Sequence, residues 1–181
     1  MTGSQFPAVS PGGDMALPPG LVLRAAGAGD AEVLAVLVRD AFSDHVGLVE
    51  PPPSAVRETG ARIEAHLASG GQALMVVARD DPATPLAACL FHGIENGLHI
   101  ARLAVSRTAR RRGLALALLG AVEARARREG LCRLVLQTRL ALVSNRALFA
   151  RAGYCEVSFH AHPGFDAPTF VELEKSLGAP R

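Results

Sequence analysis

Apolar positions along this chain alternate between a strand rhythm and a helix rhythm. Leu21-Val22-Leu23-Arg24 reads as a short strand. Asp30 then opens a helix in which Val33, Leu34, Leu37, Val38, Ala41 and Phe42 fall at helical spacing. Pro51-Pro52-Pro53 ends regular structure. Ser54 caps a second helix with Val56, Ile63 and Leu67 on one face, and Gly70-Gly71 stops it. Ala73–Ala78 and Leu86–Ile94 read as strands joined by the turn-rich stretch Asp80–Pro85. Asn96-Gly97 is a hairpin signal, so Leu98–Val105 should return antiparallel. A helix over 113–129 follows and ends at Gly130. A strand over Leu131–Gln137, a helix near 144–152 and strands near 154–160 and 168–175 complete the order β-α-α-β-β-β-α-β-α-β-β. That order is α/β with a mixed sheet. Residues 1–19 are rich in Pro, Gly and Ser and read as a flexible tail. There is no internal repeat and no linker, so one domain spans 20–177, with 178–181 as a C-terminal tail.

Composition narrows this further. A chain of 181 residues, 49% of them hydrophobic, suits one domain with a proper core and excludes a disordered protein. Its net charge of +2 is unevenly placed. Residues 98–128 carry arginines at 102, 107, 110, 111, 112, 125, 127 and 128 against the single acid Glu123. Such a patch suits a polyanion. A nucleic acid would also fit, but no Trp, one Tyr and no recognisable binding motif argue against it. Cys89, Cys132 and Cys155 are odd in number and lack metal-ligand spacing, so they read as buried, reduced thiols with no metal site. Reduced thiols and the lack of a signal-like start suggest a cytoplasmic protein. The apolar run Leu114–Val122 is too short to cross a bilayer, so no membrane partner is expected.

Candidate chemistry concentrates in Leu103-Ala104-Val105-Ser106-Arg107-Thr108-Ala109-Arg110-Arg111-Arg112-Gly113-Leu114-Ala115. It reads as a strand end, a basic loop with a glycine, and a helix start. A helix start offers unpaired N–H groups and the positive end of its dipole. Gly113 and Ala115 let an anion approach that backbone, which makes a cradle for a phosphate or pyrophosphate.

Arg110-Arg111-Arg112-Gly113-Leu114-Ala115 resembles the acetyl-coenzyme A motif of the GNAT acyltransferases, Arg/Gln-x-x-Gly-x-Gly/Ala after a strand. Asn145-Arg146-Ala147-Leu148-Phe149-Ala150-Arg151-Ala152-Gly153-Tyr154 resembles that family's later helix and strand start. Phe170–Leu177 resembles its last strand. The two motifs stand in the family's order, about 30 residues apart. The resemblance implies a single-domain GNAT-like fold, with a mixed, mostly antiparallel sheet of about seven strands flanked by about four helices. It also implies an N-acetyltransferase that moves an acetyl group directly from acetyl-CoA to an amine.

On that resemblance, the strand segment Leu103-Ala104-Val105 offers free backbone groups to pantetheine, and the Val105 N–H is a donor to the oxyanion. The N–H groups of 111–115 would take the pyrophosphate, helped by Arg110, Arg111 and Arg112. Asn145 matches a coenzyme-contacting position, although it could instead cap the following helix. Many family members have a Tyr where Phe149 stands, and phenylalanine has no proton to give the leaving thiolate. Tyr154 reads as a packed core aromatic.

His99 is the base expected here, because even spacing puts it on the same strand face as Val105 and a neutral imidazole suits the task. Arg102 then has the opposite parity and could reach an acidic acceptor. Glu95 is discounted, at roughly 30 Å of extended chain from Val105. His160 and His162 precede Pro163-Gly164 in a connection that often borders the acceptor, and with Asp166 they could attract a cationic amine. His45 lies in the loop after the first helix, which also often covers the acceptor. His66 and His92 carry no catalytic argument. The acceptor expected is a small-molecule amine, and a homodimer is consistent with the family. The competing reading is a non-catalytic protein that binds and senses an acyl-CoA, which Phe149 favours.

Overall fold

The computed structural model describes residues 17–178. Most of the expected N-terminal tail and residues 179–181 lie outside that range. Seven strands form one open sheet in the order β1-β2-β3-β4-β5-β7-β6. They are β1 (Leu21–Ala25), β2 (Gln72–Ala78), β3 (Pro85–Ile94), β4 (Gly97–Val105), β5 (Arg133–Arg139), β6 (Cys155–His160) and β7 (Phe170–Ser176). Four α-helices flank it among the described residues: α1 (Ala31–Ser43), α2 (Gly60–Ala68), α3 (Leu114–Arg128) and α4 (Val143–Arg151). Every strand pairing is antiparallel except β4 with β5.

The helices divide the core between the two sheet faces. On one face Leu34, Val38 and Ala41 of α1 and Ile63 of α2 pack on Met75, Val77, Ala88, Leu90 and Ala104. On the other, Leu114, Leu118 and Val122 of α3 and Phe149 of α4 pack on Cys89, Phe91, Leu98, Ile100, Leu134 and Leu136. Each fully buried Leu or Phe of this set contributes about 1.5–3 kcal/mol relative to exposure.

Two local expectations change. Asp30 occupies the N-cap position of α1 without capping it. Its carboxylate accepts instead from Arg24 (2.7 and 2.9 Å) and from the Gly27 N–H (2.9 Å). The second helix is not continuous from Ser54. A 3-10 turn over Ser54–Arg57 gives way to extended Glu58 (ψ 143°), and Thr59 caps α2 by accepting from the Arg62 N–H at 3.3 Å. The break brings Gly60 hard against α1, where a Cβ would meet the Glu32 backbone at 3.3 Å. The cysteines also differ from the expectation of three buried thiols. Cys89 is buried, and burial pushes its thiol up to about 12, but Cys132 is half-buried and Cys155 is exposed.

The feature that positions the site is a gap in the sheet. β4 pairs with β5 only from Gly97↔Arg133 to Ile100↔Leu136. Beyond that, β4 continues to Val105 along β3 and β5 continues to Arg139 along β7, with no ladder between β4 and β5. Ala101 is an extra residue on β4, because Leu90 pairs with Arg102 while Phe91 pairs with Ile100. A bulge of this kind bends its strand and raises its twist, which steers β4 away from β5.

Candidate active site

The gap exposes one row of β4 backbone. The Ser106 N–H donates to Leu86 O at 2.8 Å. In an antiparallel ladder, hydrogen-bonded and non-hydrogen-bonded pairs alternate. In the register Ala87↔Val105, Ala88↔Ala104, Cys89↔Leu103, the Leu103 and Val105 backbone groups therefore turn away from β3 and into the gap. Ala104 spends its N–H and C=O on β3, and its side chain is buried among α1-side residues. It stands in neither cleft described below.

The bulge also overturns the reasoning about strand faces. Before it, Leu98 and Ile100 face α3; after it, Leu103 and Val105 do. His99 pairs with His92 and Arg102 with Leu90, both on the α1 face. His99 and Val105 therefore lie on opposite faces despite their even spacing, and His99 shares its face with Arg102. One inserted residue inverts side-chain parity along everything that follows.

Two concavities meet at the gap. The larger, about 790 Å³, lies on the α3 side and is lined by Leu103, Val105, Arg110, Arg111, Gly113, Leu114, Ala115 and residues of α4. The smaller, about 270 Å³, passes through the gap toward α1 and is lined by His99, Arg102, Gln137, Arg139, His162 and the turn at Pro53-Ser54-Ala55. Phe42, His45, Leu103, Asn145 and Phe149 border both, so the two form one passage across the sheet.

The larger cleft ends at the start of α3. Gly113 is its N-cap with φ +79°, and no side chain caps the helix. Arg111 is also left-handed, at φ +61°. A turn in which left-handed residues flank one that is not gathers N–H groups into a concavity suited to an anion, and the uncapped helix adds its own. No Asp or Glu lines this cleft. The residues present thus fit a pyrophosphate. The arginines are not equivalent. Arg110 pairs with Asp44 at 2.7 Å, and Arg107 pairs with the same carboxylate. Those two guanidiniums hold the Asp44 carboxyl below its usual range. Arg112 is exposed and does not line the cleft. Arg125 pairs with Glu129 and Arg127 with Glu123 on the surface of α3, each at 2.8 Å.

Asn145 does not cap α4, whose N-cap is Leu142. It faces both clefts instead. Phe149 is buried between them and meets Tyr154 edge-on, with ring centroids 6.2 Å apart. The Tyr154 hydroxyl is buried without a partner and lines neither cleft. Burial, with Cys89 and Glu123 adding to it, pushes its pKa up.

Three histidines line the smaller cleft. His45 stands at the junction, edge-on to Phe42 at 5.7 Å, with Nδ1 buried and unpartnered. Burial foremost, with Arg110 assisting, lowers its pKa. The His99 Nδ1 is likewise buried and unpartnered, and its pKa is lowered by burial foremost and then by His92. His162 Nδ1 receives the Arg139 Nη1–H at 3.1 Å and also contacts the Thr169 hydroxyl. His160 is exposed, bonds Ser158 at 2.7 Å and stacks on Phe170; it and Asp166 line neither cleft. Sequence reasoning gave His45 only a covering role, because its place at the junction depends on how the loop after α1 folds back. It gave Arg139 no role, because nothing in the sequence marks β5 as leaving β4 after Leu136. Among the described residues, no group of three His, Cys, Asp or Glu side chains is placed to hold a metal ion.

An open mixed sheet parted at the middle, with a glycine-started helix at the mouth of the opening, is the architecture of an acyl-coenzyme A-dependent transferase. The acetyltransferase (GNAT) family matches residues 38–154, and the chain belongs to that family. No curated protein matches it. Its fold is similar to that of the ribosomal-protein-S18-alanine N-acetyltransferase of Escherichia coli, with TM-score 0.69 and 14% identity over 87% of this chain and 94% of that one. It is also similar to the PaiA N-acetyltransferase of Thermoplasma acidophilum in complex with coenzyme A, with TM-score 0.68 and 16% identity over 86% and 98%. A third similar fold is the phosphinothricin acetyltransferase of Sinorhizobium meliloti in complex with acetyl-CoA, with TM-score 0.67 and 18% identity over 88% and 89%.

Proposed function

We propose that this chain is an acetyl-CoA-dependent N-acetyltransferase acting on a small-molecule amine. The observation that carries the reading is the passage itself. A wide, acid-free cleft ending at an uncapped helix start meets a smaller cleft across a gap where β4 and β5 no longer pair. The donor's pyrophosphate lies on the N–H groups of 111–115, and its pantetheine follows Leu103 and Val105. The acceptor enters from the α1 face.

In the transfer, the amine nitrogen attacks the thioester carbonyl carbon. The carbon–sulfur bond then breaks, an amide forms, and the thiolate departs. The Leu103 and Val105 N–H groups face the gap, where a preorganised donor stabilises the oxyanion. The amine's proton passes to His45 or His99. Both have lowered pKa values and are neutral at pH 7, so each can accept a proton. Phe149 supplies no acid. The thiolate leaves unprotonated and takes its proton from water, which is tolerable for a thiol with pKa of about 8.5. Use of acetyl-CoA and an exposed free thiol at Cys155 support a cytoplasmic setting.

Phe149 also favours a second reading, an acyl-CoA sensor without turnover. Calorimetric titration with acetyl-CoA, beside Gly113→Glu, tests the shared donor site. Binding lost in the variant supports it, and no binding by the intact chain refutes both readings. Thiol release on adding amines separates enzyme from sensor.

A further inference from the structure

We infer that the acceptor amine also carries a carboxylate, and that Arg139 receives it. This rests on the acyl-transfer reading above.

The smaller cleft is lined by two guanidiniums and three imidazoles, from Arg102, Arg139, His45, His99 and His162, and by no Asp or Glu. The acids nearby are occupied or turned aside. Buried Glu58 accepts from Arg102 at 3.0 Å and lies 3.3 Å from Arg62. Glu172 accepts from the Gln137 amide at 3.1 Å. The Glu50 side chain forms no ion pair with Arg139 among the described residues, although its charge acts on Arg139 from farther away. A second cationic group on the acceptor would meet no carboxylate in the lining; Glu50, Glu172 and Asp44 act on Arg139, His99 and His45 only from outside it.

Arg102 has a carboxylate partner and Arg139 does not. Arg139 gives Nη1–H to Glu50 O at 3.2 Å and to His162 Nδ1 at 3.1 Å, and Nη2–H to Pro51 O at 2.6 Å. All three acceptors are neutral. A guanidinium has five N–H donors. The Nε–H and one Nη2 hydrogen therefore remain, on a group already fixed by its other contacts. Burial lowers its pKa, and the Glu50 charge offsets this only in part, so a directly bonded carboxylate would compensate it further. Arg139 is the third residue beyond Leu136, where β5 parts from β4. That is about 10 Å along the strand. Arg139 and the junction residues His45, Leu103 and Phe149 line the same cleft, so an acceptor held by its carboxylate at Arg139 has its amine in the space that opens on the junction.

The test uses the full chain, acetyl-CoA and amine pairs differing only in the anion: γ-aminobutyrate against butylamine, and each of a set of L-amino acids against its amide. Calorimetry first establishes acetyl-CoA binding, and thiol release is then followed for every acceptor. The inference expects the best acceptors to bear a carboxylate, with kcat/KM at least 10-fold above the uncharged partner. It also expects Arg139→Gln to abolish that preference by raising KM for the carboxylate acceptor, with little effect on its uncharged partner. Arg139→Lys should restore part of it. If Arg139 only pins the 50–51 turn, both members of each pair fall together in Arg139→Gln, and the inference fails. Turnover of uncharged or polycationic amines in preference to carboxylates overturns the inference and leaves the acyltransferase reading standing. Acetyl-CoA binding with no turnover of any acceptor overturns the inference and favours the sensor. No acetyl-CoA binding overturns both.

Discussion

Replacing Gly113 separates the donor cradle from the stability of the fold. Its φ is +79°, and a Cβ built there meets nothing within 4 Å. Gly113→Ala therefore costs only the left-handed strain, about 1–2 kcal/mol. For a chain of this size that is a fall in Tm of about 2–8 °C. Asparagine tolerates the left-handed region, so Gly113→Asn should fall less. Yet the open space around the Cβ position is where the account puts the pyrophosphate. Either side chain displaces it from one N–H or more of the α3 start. Losing one hydrogen bond to a charged group costs about 1.5–3 kcal/mol. Acetyl-CoA should then bind about 10- to 100-fold more weakly to both variants. Thermal melts and calorimetry on the same samples read the two effects apart. If Gly113→Asn keeps its Tm and binds acetyl-CoA as tightly as the unaltered chain, the anion does not sit at this helix start.

Other outcomes follow from single groups. Tyr154→Phe removes a buried hydroxyl without a partner, so stability should hold or rise by up to about 1 kcal/mol, and kcat should be unchanged because the ring lines neither cleft; a large fall in kcat would make Tyr154 the missing acid. Glu58→Gln strips Arg102 and Arg62 of their shared counter-ion and should cost roughly 2 kcal/mol, as seen in urea unfolding, since Glu58 is buried while Arg62 is exposed. The pKa values of His45, His92, His99 and His162 are all lowered by burial foremost. The unfolded chain therefore takes up protons first as pH falls, so stability should be full above about pH 6.5 and decline below it. Melts across pH 5–8 check this, and His99→Gln should flatten the decline; a Tm that rises on acidification contradicts it. kcat should lose its acid limb only in the variant of whichever histidine takes the proton, His45→Gln or His99→Gln.

The strands and helices were legible because their apolar periodicities are long and their stops are marked by Gly130, Asn96-Gly97 and the triple proline. The glycine turn that opens α3 was legible because Gly113 between basic residues and an apolar helix is a local signal. What escaped the sequence was the bulge at Ala101. An inserted residue leaves no mark in an apolar strand, yet it moved His99 to the other face from Val105 and put Arg102 beside it. The second helix was misjudged for a related reason. Ser54 is a fair cap by type, but the chain starts its α-helix at Thr59, where Gly60 lets it press on α1. The positions of His45 and Arg139 depend on contacts far apart in sequence, with the turn after α1 bordering both clefts and the 50–51 carbonyls gripping Arg139.

The central claim is that the two clefts join a thioester to an amine. The most direct measurement is to incubate the intact chain with acetyl-CoA and a defined pool of amino acids and amines. Free thiol and acetylated amine are then quantified together by absorbance and mass spectrometry. The account predicts equal amounts of both, dependent on an acceptor and lost with Gly113→Glu. Tight acetyl-CoA binding with no acetylated amine from any acceptor would contradict it.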